Sequence, residues 1–145
     1  MAEDTELLGG IPLFSGVSKR DLVHLAKAAH HMTFQPGSQL TTEDELGVTF
    51  FVVLKGEAEV SVSGQARRSL GPGDYFGEMS IIDRSPRSAK VVAVNDLECL
   101  VFTQWEFRPW LKQHPDVAWA LLESLVRRLR EVERASLAHG AAPAS

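Results

Sequence analysis

Residues 73–93 contain side chains that are suited to binding a phosphate. Gly77 lets the backbone approach a ligand closely, and the free N–H groups of the turn that follows it carry a partial positive charge that attracts an anion. Arg87, fixed behind Pro86, adds a planar set of hydrogen-bond donors for the same anion, and Ser88 adds a hydroxyl. The segment is therefore predicted to bind a phosphate.

Glu78 lies directly after Gly77 in this segment. Because two negative groups repel, its carboxylate is poorly suited to the phosphate and better suited to accept a hydrogen bond from a neutral sugar hydroxyl. An anion and a sugar hydroxyl together indicate a nucleotide. Two generic roles remain as alternatives, a carboxylate at a helix N-terminus for Glu78 and a surface ion pair with Asp83 or Glu78 for Arg87.

Two short motifs make this segment more specific. Phe-Gly-Glu-Met-Ser occupies residues 76–80, and Pro-Arg-Ser-Ala occupies residues 86–89. Together they resemble the phosphate-binding cassette of the cyclic-nucleotide-binding domain family, which includes the catabolite activator protein and the protein kinase A regulatory subunits. The resemblance covers about residues 11–138. It implies that Glu78 binds the ribose 2′-hydroxyl and that Arg87 pairs with the cyclic phosphate.

The resemblance also implies a wider set of ligand contacts and a choice of ligand. The ligand is expected to be cAMP, or alternatively cGMP, since Ser88 can hydrogen-bond a phosphate or a guanine amino group. Ser80 and Ser88 can also be explained as turn residues, and Ser88 is the better ligand candidate because it adjoins Arg87. Met79, Val60 and Leu70 are equally well explained as core residues. The predicted ligand-binding residues are Gly77, Glu78, Met79, Ser80, Arg87, Ser88, Ala89, Val60, Leu70 and Arg128.

Hydrophobic periodicity predicts the elements that position these residues. A helix is predicted over residues 18–29 with Ser18 as its N-cap. Residues 31–103 show about eight short strands separated by glycine or proline turns, among them the continuous apolar run at residues 48–54. We therefore predict a mainly β fold, an eight-stranded antiparallel jelly-roll barrel (double-stranded β-helix) with an N-terminal helix and two C-terminal helices. The domain is expected to span residues 11–138, between a frayed N-terminus at residues 1–10 and a disordered tail at residues 139–145.

The two C-terminal helices are predicted over residues 104–113 and 116–137. The family resemblance implies that the final helix closes over the base of the nucleotide and that Arg128 on it reaches Glu78 or the ligand. Apolar residues spaced by three and four along this helix predict a seam through which the chain forms a homodimer. The seam residues are Leu122, Leu125, Leu129 and Val132.

Composition excludes several classes of protein. The chain has 145 residues, of which 44% are hydrophobic and 23% are charged, as expected for one globular domain with a core. Its formal net charge of −4 argues against nucleic-acid binding by the chain itself.

The single cysteine, Cys99, excludes an intramolecular disulfide and is predicted to be a buried, unreactive thiol. Without a long apolar run or a signal-peptide charge pattern, we expect a cytoplasmic protein that does not contact a membrane.

Two functions are compatible with the motifs, the composition and the predicted fold. The first is a cyclic-nucleotide sensor that signals through movement of the final helix to an effector that the sequence does not identify. The second is an interaction or dimerisation module of the same fold without a small ligand. We expect no enzyme, metal or cofactor, because the cassette contains no nucleophile with a base and because the adjacent His30 and His31 would point to opposite faces of a strand. A DNA-binding helix-turn-helix is not expected after Leu137.

Overall fold

In this computed structural model, the described residues 2–41, 49–84 and 89–138 form two antiparallel sheets with helices before, between and after the strands. The strands are β1 (His30–Phe34), β2 (Gln39–Thr41), β3 (Thr49–Lys55), β4 (Ala58–Val62), β5 (Gln65–Leu70), β6 (Tyr75–Phe76), β7 (Lys90–Ala93) and β8 (Leu97–Thr103). The helices are α1 (Ala2–Gly9), α2 (Lys19–Ala28), α3 (Glu78–Asp83), α4 (Gln104–Lys112) and α5 (Pro115–Ala138), with a short 3₁₀ helix at Pro12–Phe14.

Each sheet has four strands, in the orders β1-β8-β3-β6 and β2-β7-β4-β5. This arrangement confirms the predicted mainly β fold of eight antiparallel strands flanked by helices. The sequence did not identify β2, whose three residues are too few to show a periodic pattern.

β3 is buried on both of its faces. Phe50 and Val52 lie in a core cluster with the helices, whereas Phe51 and Val53 lie in a second cluster between the two sheets. Successive side chains of a strand point to opposite faces, so a strand covered on both sides has no polar alternation. This explains the continuous apolar run in the sequence.

The core cluster on the helical side is rich in aromatic rings. Phe107 of α4 stacks on Phe50 of β3 with ring centroids 4.2 Å apart. Trp110, one turn further along α4, is also buried and contacts Phe14 edge to face. These contacts fix α4 against the sheet.

The second cluster contains Cys99, which is fully buried on β8. Burial, with a smaller contribution from the charge of Glu98, raises the pKa of its thiol to about 12. The predicted burial of this cysteine is therefore confirmed.

The N-terminal segment differs from the sequence prediction. Residues 1–10 were expected to be frayed, but α1 occupies Ala2–Gly9 and packs against α2. Leu8 is completely buried, and the buried carboxylate of Asp4 accepts a hydrogen bond from His31 Nε2 of β1 at 2.7 Å. The residues that α1 packs against are distant from it in sequence, so the local composition of residues 1–10 did not predict that this segment is ordered.

The remaining helices begin close to the predicted positions. Ser18 caps α2 by accepting a hydrogen bond from the N–H of Asp21 at 3.2 Å. Thr103 and Glu106 form a reciprocal capping box at the start of α4. α4 continues through Pro109, and α5 begins at Pro115, where proline is favoured in the first turn of a helix.

The short connection between α4 and α5 is held by His114. Its ring stacks on Trp110 at 4.0 Å between centroids, and its Nδ1 donates to the carbonyl of Trp110 at 2.7 Å. Its Nε2 lies 3.2 Å from a carboxylate oxygen of Asp21 on α2. The base of α5 is therefore fixed to both neighbouring helices.

No helix in the described ranges is long and apolar enough to cross a membrane. The predicted tail at residues 139–145, which includes His139, lies outside the described residues.

Candidate functional site

Glu78 is the first residue of α3, and only 1% of it is exposed to solvent. The chain reaches it from β6 through Gly77, which has a φ of 92° in the left-handed region that favours glycine. The turn at Gly77 thus directs the carboxylate of Glu78 into the protein. A buried carboxylate requires a partner.

Arg128 of α5 is that partner. Its Nη2 donates to Oε1 of Glu78, and 28% of its side chain remains exposed. Val117 and Leu121 on α5 are buried in the core, and Arg128 lies seven positions after Leu121 on the same face of the helix. The packing of α5 therefore places the guanidinium over Glu78, one of the two contacts expected for Arg128.

Arg68 is a third charged residue at this site, and it was missed by the sequence reasoning. It pairs with Val60 across β4 and β5, so its side chain shares a face with buried Val60 and Leu70. Desolvation, followed by the positive charge of Arg128, lowers the pKa of the Arg68 guanidinium, while the charge of Glu78 acts in the opposite direction. β5 has no alternation of apolar and polar residues, and only Leu70 is buried in it, so the sequence offered no signal for Arg68.

Charged side chains of both signs lie close together at this site. Arg128 of α5 is paired with Glu78, and the negative charges of Glu78 and Asp74 both act on the Arg68 guanidinium of β5. Two guanidinium groups are therefore balanced by two carboxylates.

The other predicted residues have different surroundings. Val60 and Leu70 are buried in the core cluster between the sheets, as their alternative explanation required. Met79 is 45% exposed, and the carbonyl of half-buried Ala89 accepts a hydrogen bond from the hydroxyl of Thr41 at 3.1 Å. Arg87, Ser88 and the side chain of Ser80 lie outside the described residues.

Two cavities of about 260 and 270 Å³ lie beside the turn at Gly73 rather than at Glu78. The first lies between the 3₁₀ helix and α5 and is lined by Asp74, Tyr75 and Arg127 among others. Neither cavity is lined by Glu78 or Arg128.

Several known proteins are similar to this chain in sequence. Residues 31–114 match the family model described as the cyclic nucleotide-binding domain. The chain is 33% identical over 129 residues to the Cyclic AMP receptor protein of Thermus thermophilus, an alignment that covers 86% of this chain and 60% of that protein. It is 36% identical over 90 residues to the cAMP-dependent protein kinase regulatory subunit of Yarrowia lipolytica, which covers 61% of this chain and 24% of that subunit.

A solved structure also resembles this chain in both fold and sequence. The crystal structure of the Thermus thermophilus catabolite activator protein superposes with a TM-score of 0.75 at 32% identity, covering 84% of this chain and 60% of that one. The chain thus spans less than two thirds of the length of these relatives. Residues 31–114 match the family model, and the chain is 33% identical to the Thermus thermophilus regulator. This chain therefore belongs to the cyclic nucleotide-binding domain family.

Proposed function

We propose that this chain is a cyclic-nucleotide sensor that binds cAMP, or alternatively cGMP, without converting it chemically. The observation that carries the proposal is the buried carboxylate of Glu78, which follows the turn at Gly77 and is paired with Arg128 of the final helix. Membership of the cyclic nucleotide-binding family and the names of the similar regulators support it.

The ligand contacts follow from the chemistry of three residues. Glu78 accepts a hydrogen bond from the ribose 2′-hydroxyl, and Arg87 pairs with the cyclic phosphate, with Ser88 beside it. In these roles the residues only bind the nucleotide, and no bond in it is broken.

The signal passes through the contact between Glu78 and α5. A sugar hydroxyl that donates to Glu78 competes with Arg128 for the same carboxylate, so the bound and free states differ in the contacts of Arg128. A ligand shifts a two-state equilibrium by the difference between its affinities for the two states. Movement of α5 is therefore the proposed output, which an effector detects.

Calorimetric titration with cAMP and with cGMP tests this function. The expected dissociation constant is on the order of micromolar or lower, which corresponds to roughly 8 kcal/mol of binding free energy. Arg87→Ala and Glu78→Gln should each weaken binding by at least about ten-fold, since each removes a hydrogen bond to a charged group. Arg20→Ala, on the exposed surface of α2, is the matched control and should bind normally. Absence of heat with either nucleotide at millimolar concentration contradicts the proposal.

A second function is favoured by a stripe of exposed apolar side chains on α5. These residues repeat at intervals of three and four, as in the seam of a two-stranded coiled coil, and all of them are exposed. We propose that a second copy of the chain covers the stripe to form a homodimer. The stripe consists of Trp119, Leu122, Val126, Leu129 and Val132.

This stripe modifies the seam predicted from the sequence. Leu122, Leu129 and Val132 are exposed as the seam requires, but Leu125 is half-buried against the protein. Trp119 and Val126 take its place on the outer face. If the homodimer forms and no nucleotide binds, the chain is an interaction module rather than a sensor.

A further inference from the structure

Arg108 connects α4 to the C-terminal end of α3. Its Nη1 donates to the carbonyl of Ile81 and, at 3.3 Å, to the carbonyl of Ile82. Arg108 is half-buried, whereas the side chain of Ile81 is completely buried beneath α3. The helix that begins with Glu78 is therefore held from α4 as well as from α5.

The position of α3 depends on such outside contacts. α3 has six residues, and an isolated helix of this length is unstable in water. The last carbonyl groups of a helix lack partners within the helix, and a positive charge there is favourable because of the helix dipole. α3 also ends at Arg84, a residue other than glycine with a φ of 59°. The guanidinium of Arg108 supplies both hydrogen bonds and charge at this end.

The part of α4 that carries Arg108 is held in place by the core. Its neighbour Phe107 is fully buried and stacks on Phe50, and Trp110 is buried in the same cluster. The backbone of α4 is thus fixed by the core, while the side chain of Arg108 extends towards α3.

We propose that Arg108 is a positioning residue for the nucleotide site. It fixes the axis of α3, and through α3 it fixes the direction of the Glu78 carboxylate that faces Arg128. The contribution to ligand binding rests on the proposed function of Glu78. The effect on α3 itself does not require a ligand, so the two can be tested separately.

Hydrogen exchange of the ligand-free full chain tests the first step. Arg108→Ala should accelerate exchange of the amides of α3 by roughly ten-fold, since hydrogen bonds to a charged group are lost. Exchange in β3 and β8 should remain at the wild-type rate. Arg108→Lys keeps the positive charge and should restore most of the protection. Lys112→Ala, an exposed position on the same helix, is the matched control and should change nothing in α3.

Two results overturn the proposal. The first is wild-type exchange in α3 of the alanine variant. The second is acceleration spread evenly over the chain, which indicates a general loss of stability instead of local positioning. If the alanine variant does not fold, Arg108→Lys and Arg108→Gln give the same comparison, with the glutamine variant expected to exchange faster in α3 than the lysine variant.

The dissociation rate of a fluorescent cAMP analogue tests the second step. Arg108→Ala should release the analogue about ten-fold faster than the wild type, with Lys112→Ala unchanged and Arg108→Lys intermediate. Equal rates for all four proteins overturn the link to the ligand. If the wild type binds neither nucleotide, the proposed function fails, while the exchange experiment still decides whether Arg108 positions α3.

Discussion

The carboxylate of Glu78 on α3 accepts a hydrogen bond from the guanidinium of Arg128 on α5, although fifty positions separate the two residues in the chain. Glu78 is buried, so the pair joins the interior of the candidate site to the final helix. A change in the partners of this single carboxylate therefore changes what holds α5.

Removal of Arg128 should destabilise the protein. Arg128→Ala leaves a buried carboxylate without its hydrogen-bond donor, and we expect the free energy of unfolding to fall by about 2 kcal/mol. Glu78→Gln in the same chain should recover part of this loss, because a neutral amide costs less to bury than a carboxylate. Urea unfolding of the single and double variants measures both effects. Arg130→Ala, an exposed change on α5, is the control, and equal stability of Arg128→Ala and this control contradicts the prediction.

Disruption of the exposed stripe on α5 should prevent dimerisation. Leu129→Glu places a charge among Leu122, Val126 and Val132, and we expect the dimer to weaken by at least about ten-fold because buried apolar area is lost. Sedimentation velocity over a range of protein concentrations measures the association. Glu131→Ala, exposed on the other side of α5, should leave the dimer intact. A wild type that is monomeric at every concentration rejects the homodimer.

The fold could be predicted from the sequence where the pattern is local. β3 and β8 are long apolar runs, and Ser18 provides a recognisable cap for α2. The structure depends on non-local contacts elsewhere: α1 is ordered by the burial of Leu8 and by the hydrogen bond between Asp4 and His31. No pattern within residues 1–10 encodes these contacts.

In the candidate site, too, only the residues within a local motif could be predicted from the sequence. Glu78 lies in a motif, so its type and neighbours identify it. Arg68 becomes part of the site only through the register of β5 against β4, and Arg108 only through the approach of α4 to α3. Pairing between strands and packing between helices are properties of the folded chain.

The stability of the α4 N-terminus should depend on pH through Glu106. Burial raises the pKa of this carboxyl, but hydrogen bonds from the N–H and hydroxyl of Thr103 and from His30 outweigh burial and lower it below the ordinary value of 4.5. A group whose pKa is lowered by folding stabilises the protein above its unfolded pKa, and this contribution is lost as the pH falls through the folded pKa.

Glu106→Gln tests this dependence. Glutamine still offers an oxygen to the N–H of Thr103 but does not titrate. The wild type should exceed this variant in free energy of unfolding at pH 7, and the difference should shrink as the pH falls below 4.5. Chemical unfolding at several pH values provides the measurement. A difference that stays constant down to about pH 3 shows that Glu106 is not responsible.

The thiol of Cys99 should be unreactive in the folded protein. Its pKa is raised to about 12 by burial, so almost no thiolate forms at pH 8. We expect a thiol-specific chromogenic reagent to react at least about 100-fold more slowly with the native chain than with the chain unfolded in urea. Ala66→Cys, on exposed β5, supplies a positive control with one fast thiol. Rapid labelling of the native wild type contradicts this expectation.

The fixed connection at His114 makes α5 a lever with its pivot at one end. The helix has 24 residues and is about 36 Å long, so a rotation of about 10° at its base carries the far end through roughly 6 Å. The contact of Arg128 with Glu78 lies part of the way along, where a smaller displacement is enough to make or break a hydrogen bond. The end of α5 at Ala138 lies farther from this pivot than Arg128 does, so an adjustment of about an ångström at the ion pair becomes a larger displacement at that end.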